Sequence, residues 1–580
     1  MSLLLIVALA AGALGLAYWL YGGLLARLLQ LDATRRTPAV EHRDDCDFAP
    51  LARLPLLNQH FSAIAAAGPV VGPILAGLMF GWLPALIWIV LGAIFIGGVH
   101  DQTALLASVR HRGRSIAFVV REHMTRRSYV LFLLFIWLAL VYVVVAFTDI
   151  TAASFVGLRT LESGEVVSGP GIATSSLLYL LLPVAMGLLI RFAKLPPTTA
   201  ALVFLPLVGV SIWAGQLLPL DLAALLNLSD ANAQRTWNVL LLAYCYAASI
   251  IPMWLLLQPR GNLGGWFLLI ALVGGTAGLV LGGGRFTLEY PAFIAWQTSA
   301  GQPLFPLLFI TVACGACSGF HAMVASGTTS KQLRRETDAR PIGYGAMLME
   351  SMVAVLSLSC IMILAPASPL LAGHTPVPNF LYANGIGAYL GVFGVPAAFA
   401  VSFALMAFTT FVYDTLDVCT RLGRYCIEEL TGWHGRYGRW FATAVTVGVP
   451  LYFLVLAPAT ANGQPVPVWR AFWSLFGASN QLLAALTLVG VTVWLWRTRR
   501  RRWVFAVTGL PALFMYVFST WELVRTVRAG FANGLTGNPV PWVALVLIAL
   551  ALLMLVEAIA VFFRRDRAIG TAADPLAASA

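Results

Sequence analysis

Charged residues are scarce in this 580-residue chain: Asp, Glu, Lys and Arg make up 10% of it, whereas they make up about 25% of a soluble globular protein. Apolar residues account for 60%, and the mean hydropathy is +0.85. No polar stretch approaches the roughly 50 residues that a separate soluble domain needs. The composition therefore excludes a soluble globule and indicates one integral membrane domain over residues 1–580.

Cysteine pairs and familiar catalytic motifs are also missing. The seven cysteines lie mostly inside apolar runs, and no predicted outer loop carries two of them, so a disulfide framework is not indicated. The chain has no GxxxxGK[ST] phosphate loop, no HExxH and no GxSxG. We therefore expect neither ATP-driven pumping by this chain nor hydrolase activity, and we expect no cofactor. A nutrient sensor is a further alternative, but no soluble signalling domain supports it.

Apolar runs of about 20 residues, the length of a membrane-crossing helix, recur along the whole chain. They predict fifteen spans: 2–25, 60–79, 82–107, 129–156, 173–191, 198–218, 236–257, 264–283, 303–326, 342–368, 387–413, 438–457, 471–496, 502–521 and 540–563. The first run is too long for a signal peptide and lacks a basic start, so we expect an uncleaved anchor.

The distribution of basic residues predicts the orientation of these spans. With the N-terminus outside, the outer segments hold only six of the 36 basic residues: Arg159, Arg235, Arg285, Arg470, Arg525 and Arg528. This bias follows the positive-inside rule, so we expect the N-terminus outside and the C-terminus in the cytoplasm. The net charge of +12 then reflects orientation and attraction to anionic membrane lipid, not a nucleic-acid partner.

Residues 58–76, NQHFSAIAAAGPVVGPILA, are unusual for a membrane span. Two Gly-Pro pairs each remove a backbone donor, and together they predict a broken helix. A broken helix frees backbone N–H and C=O groups, which a buried substrate or ion can satisfy but hydrocarbon cannot. The candidate binding residues here are His60, Ser62, Gly68, Pro69, Gly72 and Pro73.

A second unusual span is formed by residues 303–331, PLFPLLFITVACGACSGFHAMVASGTTSK. Small residues allow close backbone approach, and a histidine follows them at once; the candidates are Gly315, Ser318, Gly319 and His321. A small-residue pattern alone is as typical of helix packing as of a binding site. Seven crossings separate this span from the first broken one, so the two run in opposite directions, as the lead helices of two inverted repeats do.

Titratable and hydroxyl side chains at membrane depth are candidates for coupling to an ion: His100, Asp101, Glu350, Thr409, Thr410, Asp414 and Asp417. Intramembrane acids mark ion or proton routes. Arg421 lies four residues after Asp417, so an ion pair at the inner surface is a competing interpretation. Paired threonines would suit sodium, whereas histidines and a desolvated acid would suit protons. We favour protons, with Glu350 as the carrier because Arg421 can hold Asp417 ionised.

Two further features remain open at this stage. Cys314, Cys317 and His321 could hold a metal if His60 or an acid joined them, with Cys317 and His321 on one helix face. A buried cysteine is, however, more often a small apolar filler, so no metal is expected. The polar segment 26–58 could be a mobile lid or a connector, and we favour a connector.

Several long stretches resemble the carbon starvation protein A (CstA) family of inner-membrane peptide transporters. They are HFSAIAAAGPVVGPILA, GGVHD, PMWLLLQPR, PLFPLLFITVACGACSGFHAMVASGTTSK, RPIGYGAMLMES, FTTFVYDTLDVCTRLGRY and WSLFGASNQLLAALTL, which together cover residues 60 to about 490. Two departures are that the chain is shorter than well-known members and that Cys317 replaces an expected aliphatic residue, so the substrate range could differ.

The resemblance implies a transporter in the bacterial cytoplasmic membrane for small peptides, or in some relatives pyruvate, driven by the proton gradient and used when nutrients run low. It also implies membership of the amino acid, polyamine and organocation (APC) superfamily, with a leucine-transporter-like core of two inverted repeats. On that analogy residues 60–218 form the first repeat, 219–302 an inserted helix pair and 303–496 the second repeat, with 497–580 peripheral. The oligomeric state is not indicated.

Overall fold

The computed structural model describes residues 2–44, 48–161, 165–371, 377–433, 435–456, 460–461, 464–465, 467–532 and 539–563. These residues are overwhelmingly helical. The α-helices are α1 Leu3–Leu28, α2 Pro38–Glu41, α3 Arg53–Ile64, α4 Gly68–Phe80, α5 Trp82–Gly92, α6 Gly98–Arg110, α7 Ile116–His123, α8 Arg126–Ala153, α9 Gly169–Phe192, α10 Pro197–Leu217, α11 Leu222–Leu225, α12 Asp230–Ile250, α13 Leu257–Gly282, α14 Leu304–Val312, α15 Gly319–Gly327, α16 Ala346–Met362, α17 Pro378–Gly391, α18 Ala397–Thr431, α19 Arg436–Leu451, α20 Val468–Arg499, α21 Leu510–Ala532 and α22 Val540–Phe563.

Strands are confined to two short antiparallel hairpins. Strands β1 Leu158–Thr160 and β2 Val166–Ser168 form one, and β3 Thr460–Ala461 and β4 Gln464–Pro465 form the other. Short π-helical or 3-10 turns continue several helices, including Ala93–Gly97 between α5 and α6 and Arg340–Gly345 before α16. The all-α polytopic membrane fold is thus confirmed.

Thirteen helices in the described residues are long and apolar enough to cross a membrane, and the bent pair α3–α4 raises the number to fourteen. Each coincides with one of the predicted spans. The remaining predicted span, 236–257, corresponds to α12, a 21-residue helix. Its N-terminal half carries polar side chains, so it falls below the apolarity of the other fourteen.

The first broken span has its break earlier than the Gly-Pro pairs predict. Helix α3 ends at Ile64 and α4 begins at Gly68, with a bend of 45° between them. Pro69 lies in the first turn of α4, where its missing N–H costs nothing. Gly72 and Pro73 continue inside α4, so the second Gly-Pro pair does not break the helix, contrary to the prediction.

The second broken span has its break at Ala313–Ser318, between α14 and α15. The halves of the two broken spans pack in reverse order, because α4 contacts α14 and α3 contacts α15. The two spans therefore run antiparallel, as their parity predicts. Two broken helices are confirmed, whereas the boundaries of the two repeats stay a prediction.

Span eleven differs from its predicted bounds of 387–413. Residues 378–391 form the separate helix α17, and the turn up to Pro396 precedes the 35-residue helix α18, which ends at Thr431 beside left-handed Gly432. Consequently Asp414 and Asp417 do not lie at the inner end of the span. They lie mid-helix and are 2% exposed.

The segments predicted to share the inner side contact one another. Arg110 pairs with Glu336 at 2.7 Å, and Arg53 pairs with Asp338 at 2.6 Å. Leu51 forms a β-bridge with Leu333. Leu51 and Arg53 of the 26–58 segment thus contact residues 333–338, which favours the connector, while residues 45–47, including Cys46, lie outside the described residues. The C-terminal tail after 563 also lies outside them.

Candidate functional site

Four titratable side chains form one buried chain of contacts next to the broken helices. The Asp101 carboxylate lies between two imidazoles, 2.7 Å from Nδ1 of His100 and 2.7 Å from Nδ1 of His321. On its other side, His321 Nε2 lies 3.1 Å from Glu350 Oε2, an ion-pair contact whose angles fall short of a hydrogen bond. All four residues have no measurable solvent exposure. We call His100, Asp101, His321 and Glu350 the acid–imidazole chain.

This chain gathers residues that the sequence placed in separate sites. Helix α6 supplies His100 and Asp101, α15 supplies His321 and α16 supplies Glu350. His100 and Asp101 are fully buried against the second broken span, and Glu350 is paired with His321.

The hydrogen bonds leave one position free to gain or lose a proton. Both Nδ1 atoms donate to Asp101, which assigns the tautomers. A further proton can then lie on His321 Nε2 or on Glu350, or be absent, without disturbing the bonds to Asp101. Among the described residues, no Lys or Arg forms an ion pair with Asp101 or Glu350, so no fixed cation holds either acid ionised.

His60 lies on the other broken span and faces the same region. Its Nδ1 is 2.8 Å from Thr329 Oγ1 in the turn after α15, and its Nε2 is buried without a hydrogen-bond partner. The turn at Ser326–Thr329 is buried except at Gly327, which is partly buried. His60 therefore joins α3 to the end of α15.

A second charged cluster surrounds Arg260 on α13, and the sequence analysis missed it. The guanidinium is fully buried, with Nε 2.5 Å from Asp414 Oδ1 and Nη1 2.5 Å from Asp417 Oδ2. Tyr244 on α12 hydrogen-bonds both Arg260 and Asp417. We call Arg260, Asp414, Asp417 and Tyr244 the arginine cluster.

The predicted ion pair between Asp417 and Arg421 is wrong. Arg421 instead donates to the backbone carbonyls of Ala248 and Ile251, at 2.8 and 2.6 Å. These carbonyls end α12, where no helical donor remains for them. Arg260 supplies the cation that the i, i+4 spacing assigned to Arg421. An arginine directly after Pro259, in the first turn of a span, was the available signal.

The arginine cluster is tied to the first broken span. Ser62 of α3 donates to Asp414, and Thr415 donates to the carbonyl of Ala63 at 3.3 Å, next to the break. Side chains of α18 thus satisfy polar groups at the end of α3. Tyr179 of α9 is fully buried nearby, and its hydroxyl has no hydrogen-bond partner.

The four candidate glycines of the two broken spans lie where neighbouring helices pack closely. A Cβ on Gly68 would lie 2.5 Å from the Cys314 side chain, and one on Gly72 would lie 2.5 Å from the Thr311 carbonyl. A Cβ on Gly315 would lie 2.8 Å from Ala354 Cβ. A Cβ on Gly319 would lie 2.5 Å from backbone atoms of α20. Gly72 and Gly319 let backbone approach backbone, whereas Gly68 and Gly315 make room for a neighbouring side chain, and both kinds of contact support the packing interpretation of the small residues.

Asn480 of α20 caps the second break. Its side-chain oxygen accepts from the Phe320 N–H at 2.9 Å, and it also hydrogen-bonds the Ser318 hydroxyl. Ser351 of α16 donates to the Gly315 carbonyl at 2.9 Å. The freed backbone of this break is therefore satisfied partly by neighbouring helices.

The geometry does not support the metal alternative, and the threonine site stays a prediction. Cys317 lies in the non-helical linker before α15, so it does not share a helix face with His321. Thr409 hydrogen-bonds the Met406 carbonyl and lies 3.3 Å from Ser176 of α9, while the buried Thr410 hydroxyl has no partner. The residues of α18 that hydrogen-bond α3 next to the first break are Asp414 and Thr415.

One small cavity adjoins the arginine cluster, and a larger cavity lies at one end of the bundle. One lies between α3, α13, α15 and α18, with Gln59, Thr329 and Asp414 among its lining residues, and holds about 10 Å³, roughly the room for one water. The other, of about 660 Å³, lies at the end of the bundle that the basic residues predict to face inward. Its charged lining comprises Arg112, Arg114, Arg121, Lys331, Glu428 and Glu429. We call this larger cavity the vestibule.

Comparison with known proteins assigns the family. The family model for carbon starvation protein CstA matches residues 2–372 and 368–522. The chain belongs to the CstA family. A curated relative, the peptide transporter CstA of Campylobacter jejuni, is 30% identical over 92% of this chain and 81% of its own. The pyruvate/proton symporter BtsT of Escherichia coli is also 30% identical, over 90% of this chain and 81% of its own.

Two solved structures illustrate what this CstA-family chain is similar to. A manganese transporter of Eremococcus coleocola aligns over 90% of this chain and 98% of its own, at 13% identity and a TM-score of 0.48. MhsT in complex with L-phenylalanine aligns over 88% and 98%, at 13% identity and a TM-score of 0.47. Both TM-scores are below 0.5, so neither likeness bears on the site.

Proposed function

We propose that this protein is a secondary active transporter that imports small peptides across the bacterial cytoplasmic membrane, in symport with protons, when nutrients are scarce. Its curated CstA relatives are named peptide transporters. The observation that carries the proton part is the acid–imidazole chain, which joins the second broken span to α6 and α16 and contains the acid Glu350 without a fixed cation. The names of these relatives say nothing about individual residues, so the residue roles proposed here rest on the geometry alone.

A proton suits this chain better than a metal cation does. Asp101 already accepts two hydrogen bonds from imidazoles, and the open position between His321 and Glu350 is 3.1 Å wide. A histidine changes charge between pH 5 and 8, and a buried carboxyl exchanges a proton with it directly. Glu350 and His321 are therefore our candidates for the coupling proton.

Sodium is the weaker alternative, since a permanent cation already lies between α18 and the first broken span. The Arg260 guanidinium contacts Asp414, which in turn accepts from Ser62 of α3. Arg does not deprotonate in proteins, so a sodium ion at this carboxylate would compete with a fixed positive charge. Substrate would enter between the two broken spans once they separate, because the closed cavity there holds about one water.

Proteoliposomes test the proposal directly. Reconstituted protein should accumulate labelled di- and tripeptides when the outside is acidic, and should not respond to a sodium gradient imposed at constant pH. Pyruvate serves as the competing substrate in parallel vesicles. Accumulation driven by sodium alone would overturn proton coupling, and uptake of neither class would overturn the transporter assignment.

Pyruvate or another small carboxylate is the second candidate substrate. One curated relative is named a pyruvate/proton symporter, and the vestibule carries Arg112, Arg114, Arg121 and Lys331 against two glutamates. A cavity lined mainly by one sign of charge concentrates ions of the other sign. If pyruvate is the substrate, Arg121→Gln should raise the KM for pyruvate more than that for a neutral dipeptide.

A further inference from the structure

A third cluster of titratable side chains lies at the C-terminal end of α6, away from the acid–imidazole chain and the arginine cluster. His111 caps that helix, and α7 brings back Glu122 and His123. One ligand atom from each of the three residues lies within 4.8 Å of the other two, and no other such group of three His, Cys, Asp or Glu occurs in the part of the chain that the structure describes. The acid–imidazole chain and the arginine cluster do not include any of them.

We propose that His111, His123 and Glu122 form a binding site for a divalent transition-metal ion of the zinc type. His111 Nε2 and His123 Nε2 face each other at 2.8 Å. Two imidazole nitrogens on one tetrahedral zinc are about 3.3 Å apart, since each bond is about 2.0–2.1 Å long. The two rings therefore need to separate by only about half an ångström to admit the ion.

The hydrogen bond on the far side of His111 supports ligation. Its Nδ1 lies 2.6 Å from the Ala107 carbonyl, so Nδ1 carries the proton and the Nε2 lone pair points to His123. Metal-bound histidines commonly donate their other N–H to a backbone carbonyl or carboxylate in this way, which fixes ring orientation. The ring of Trp494 on α20 packs edge-on against His111 and holds it in place.

The 2.8 Å contact needs a proton on one Nε2, and that proton lies on His123 because His111 Nε2 is the acceptor. His123 must therefore move this proton to its Nδ1 when a metal binds, which weakens binding. The nearby cations Arg110 and Arg497 also oppose a bound cation, while Glu122 favours it. Imidazole ligands select zinc, nickel or copper over magnesium and calcium, so the site would be borderline-soft and of moderate affinity.

Metal binding to the whole detergent-solubilised protein, carrying a tag without histidine, tests this site. We expect one Zn²⁺ or Co²⁺ per chain, with an affinity at least tenfold lower in His123→Gln and in His111→Gln. His42→Gln is the matched control, because His42 is an exposed histidine at the same end of the bundle and should leave the affinity unchanged.

Ligation and mere folding effects are separated by a conservative variant. His123→Cys keeps a ligand, so it should retain Co²⁺ and add a thiolate charge-transfer band that the wild type lacks. Wild-type protein that binds no Zn²⁺ or Co²⁺, or variants that bind as the wild type does, would overturn the proposal and leave the histidines as a hydrogen-bonded pair. Transport assays are not needed for the test, so its outcome is independent of the proposed transport function.

Discussion

Glu350 is the residue at which proton coupling can be separated from substrate movement. Its only ionic contact among the described residues is His321. Glu350→Gln keeps the size of the side chain but cannot exchange a proton with the imidazole. We expect gradient-driven accumulation in proteoliposomes to be abolished, while exchange of labelled for unlabelled substrate continues at a rate near that of the wild type.

The control for this variant is Glu41→Gln, since Glu41 is exposed on the short helix α2 and should behave as the wild type in both assays. Accumulation by Glu350→Gln under a proton gradient would make Glu350 structural. A requirement for sodium that Thr409→Ala or Thr410→Ala removes would instead contradict proton coupling itself.

Arg260 should matter first for stability. Arg260→Met leaves Asp414 and Asp417 buried without their guanidinium, and the loss of one partner from a buried ion pair costs about 3–5 kcal/mol. We expect a clear drop in the unfolding temperature of detergent-solubilised protein, and partial recovery in the triple variant that adds Asp414→Asn and Asp417→Asn. Arg285→Met, at an exposed position, should have little effect. An Arg260→Met protein as stable as the wild type would contradict the pairing.

At the scale of residues, the sequence predicted which residues matter but not which residues they contact. The sequence identified every member of the acid–imidazole chain as a candidate, because acids and histidines at membrane depth are rare. It could not join them, since Asp101 and His321 are 220 positions apart and meet only through helix packing. The role of Arg260 was missed for the same reason: its partners lie 154 and 157 positions later along the chain.

At the scale of helices, Gly68 tests the contact between the two broken spans. A methyl group there would overlap Cys314, and overpacking of this kind costs about 1–3 kcal/mol. Gly68→Ala should therefore lower the unfolding temperature and slow transport. In a Cys314→Gly background, which removes the overlapping atoms, the same substitution should cost clearly less.

The matched control is Gly12→Ala on α1, where an added Cβ would meet nothing within 4 Å. Equal costs of Gly68→Ala in the two backgrounds would show that Cys314 is not the obstacle. A leucine at Gly68 would be a poor probe of substrate binding, because it would disrupt this contact before any substrate arrives.

The positions of the breaks show what sequence patterns omit at this scale. Gly-Pro pairs correctly predict that span two is interrupted, yet a proline costs nothing in the first turn of a helix, so Pro69 starts α4 where the pattern predicts an end. The break between α3 and α4 lies instead at Ala65–Ala67, next to the Ala63 carbonyl that accepts a hydrogen bond from Thr415 of α18. Such tertiary partners leave no mark in the local sequence.

For the whole molecule, the distribution of basic residues and the contacts between loops together predict which loops lie on the same side of the membrane. Segments predicted to lie inside are linked by Arg110–Glu336 and Arg53–Asp338. On the other side, the loop before α14 meets the start of α5, where Leu83 N–H donates to the Ala292 carbonyl. An odd number of missed spans would have placed these partners on opposite faces.

Cysteine labelling in intact cells measures this sidedness. The six described native cysteines are buried, so replacing Cys46 with serine should suffice for a quiet background. Ala300→Cys, in an exposed outer loop, should react with an impermeant maleimide at once, because the positive-inside rule places that loop outside. Arg36→Cys, also exposed, should react only after the membrane is permeabilised. Reaction of both positions from the same side would contradict the predicted alternation of spans between residues 36 and 300. The reverse pattern would place the vestibule on the outer face, and with it the proposed metal site.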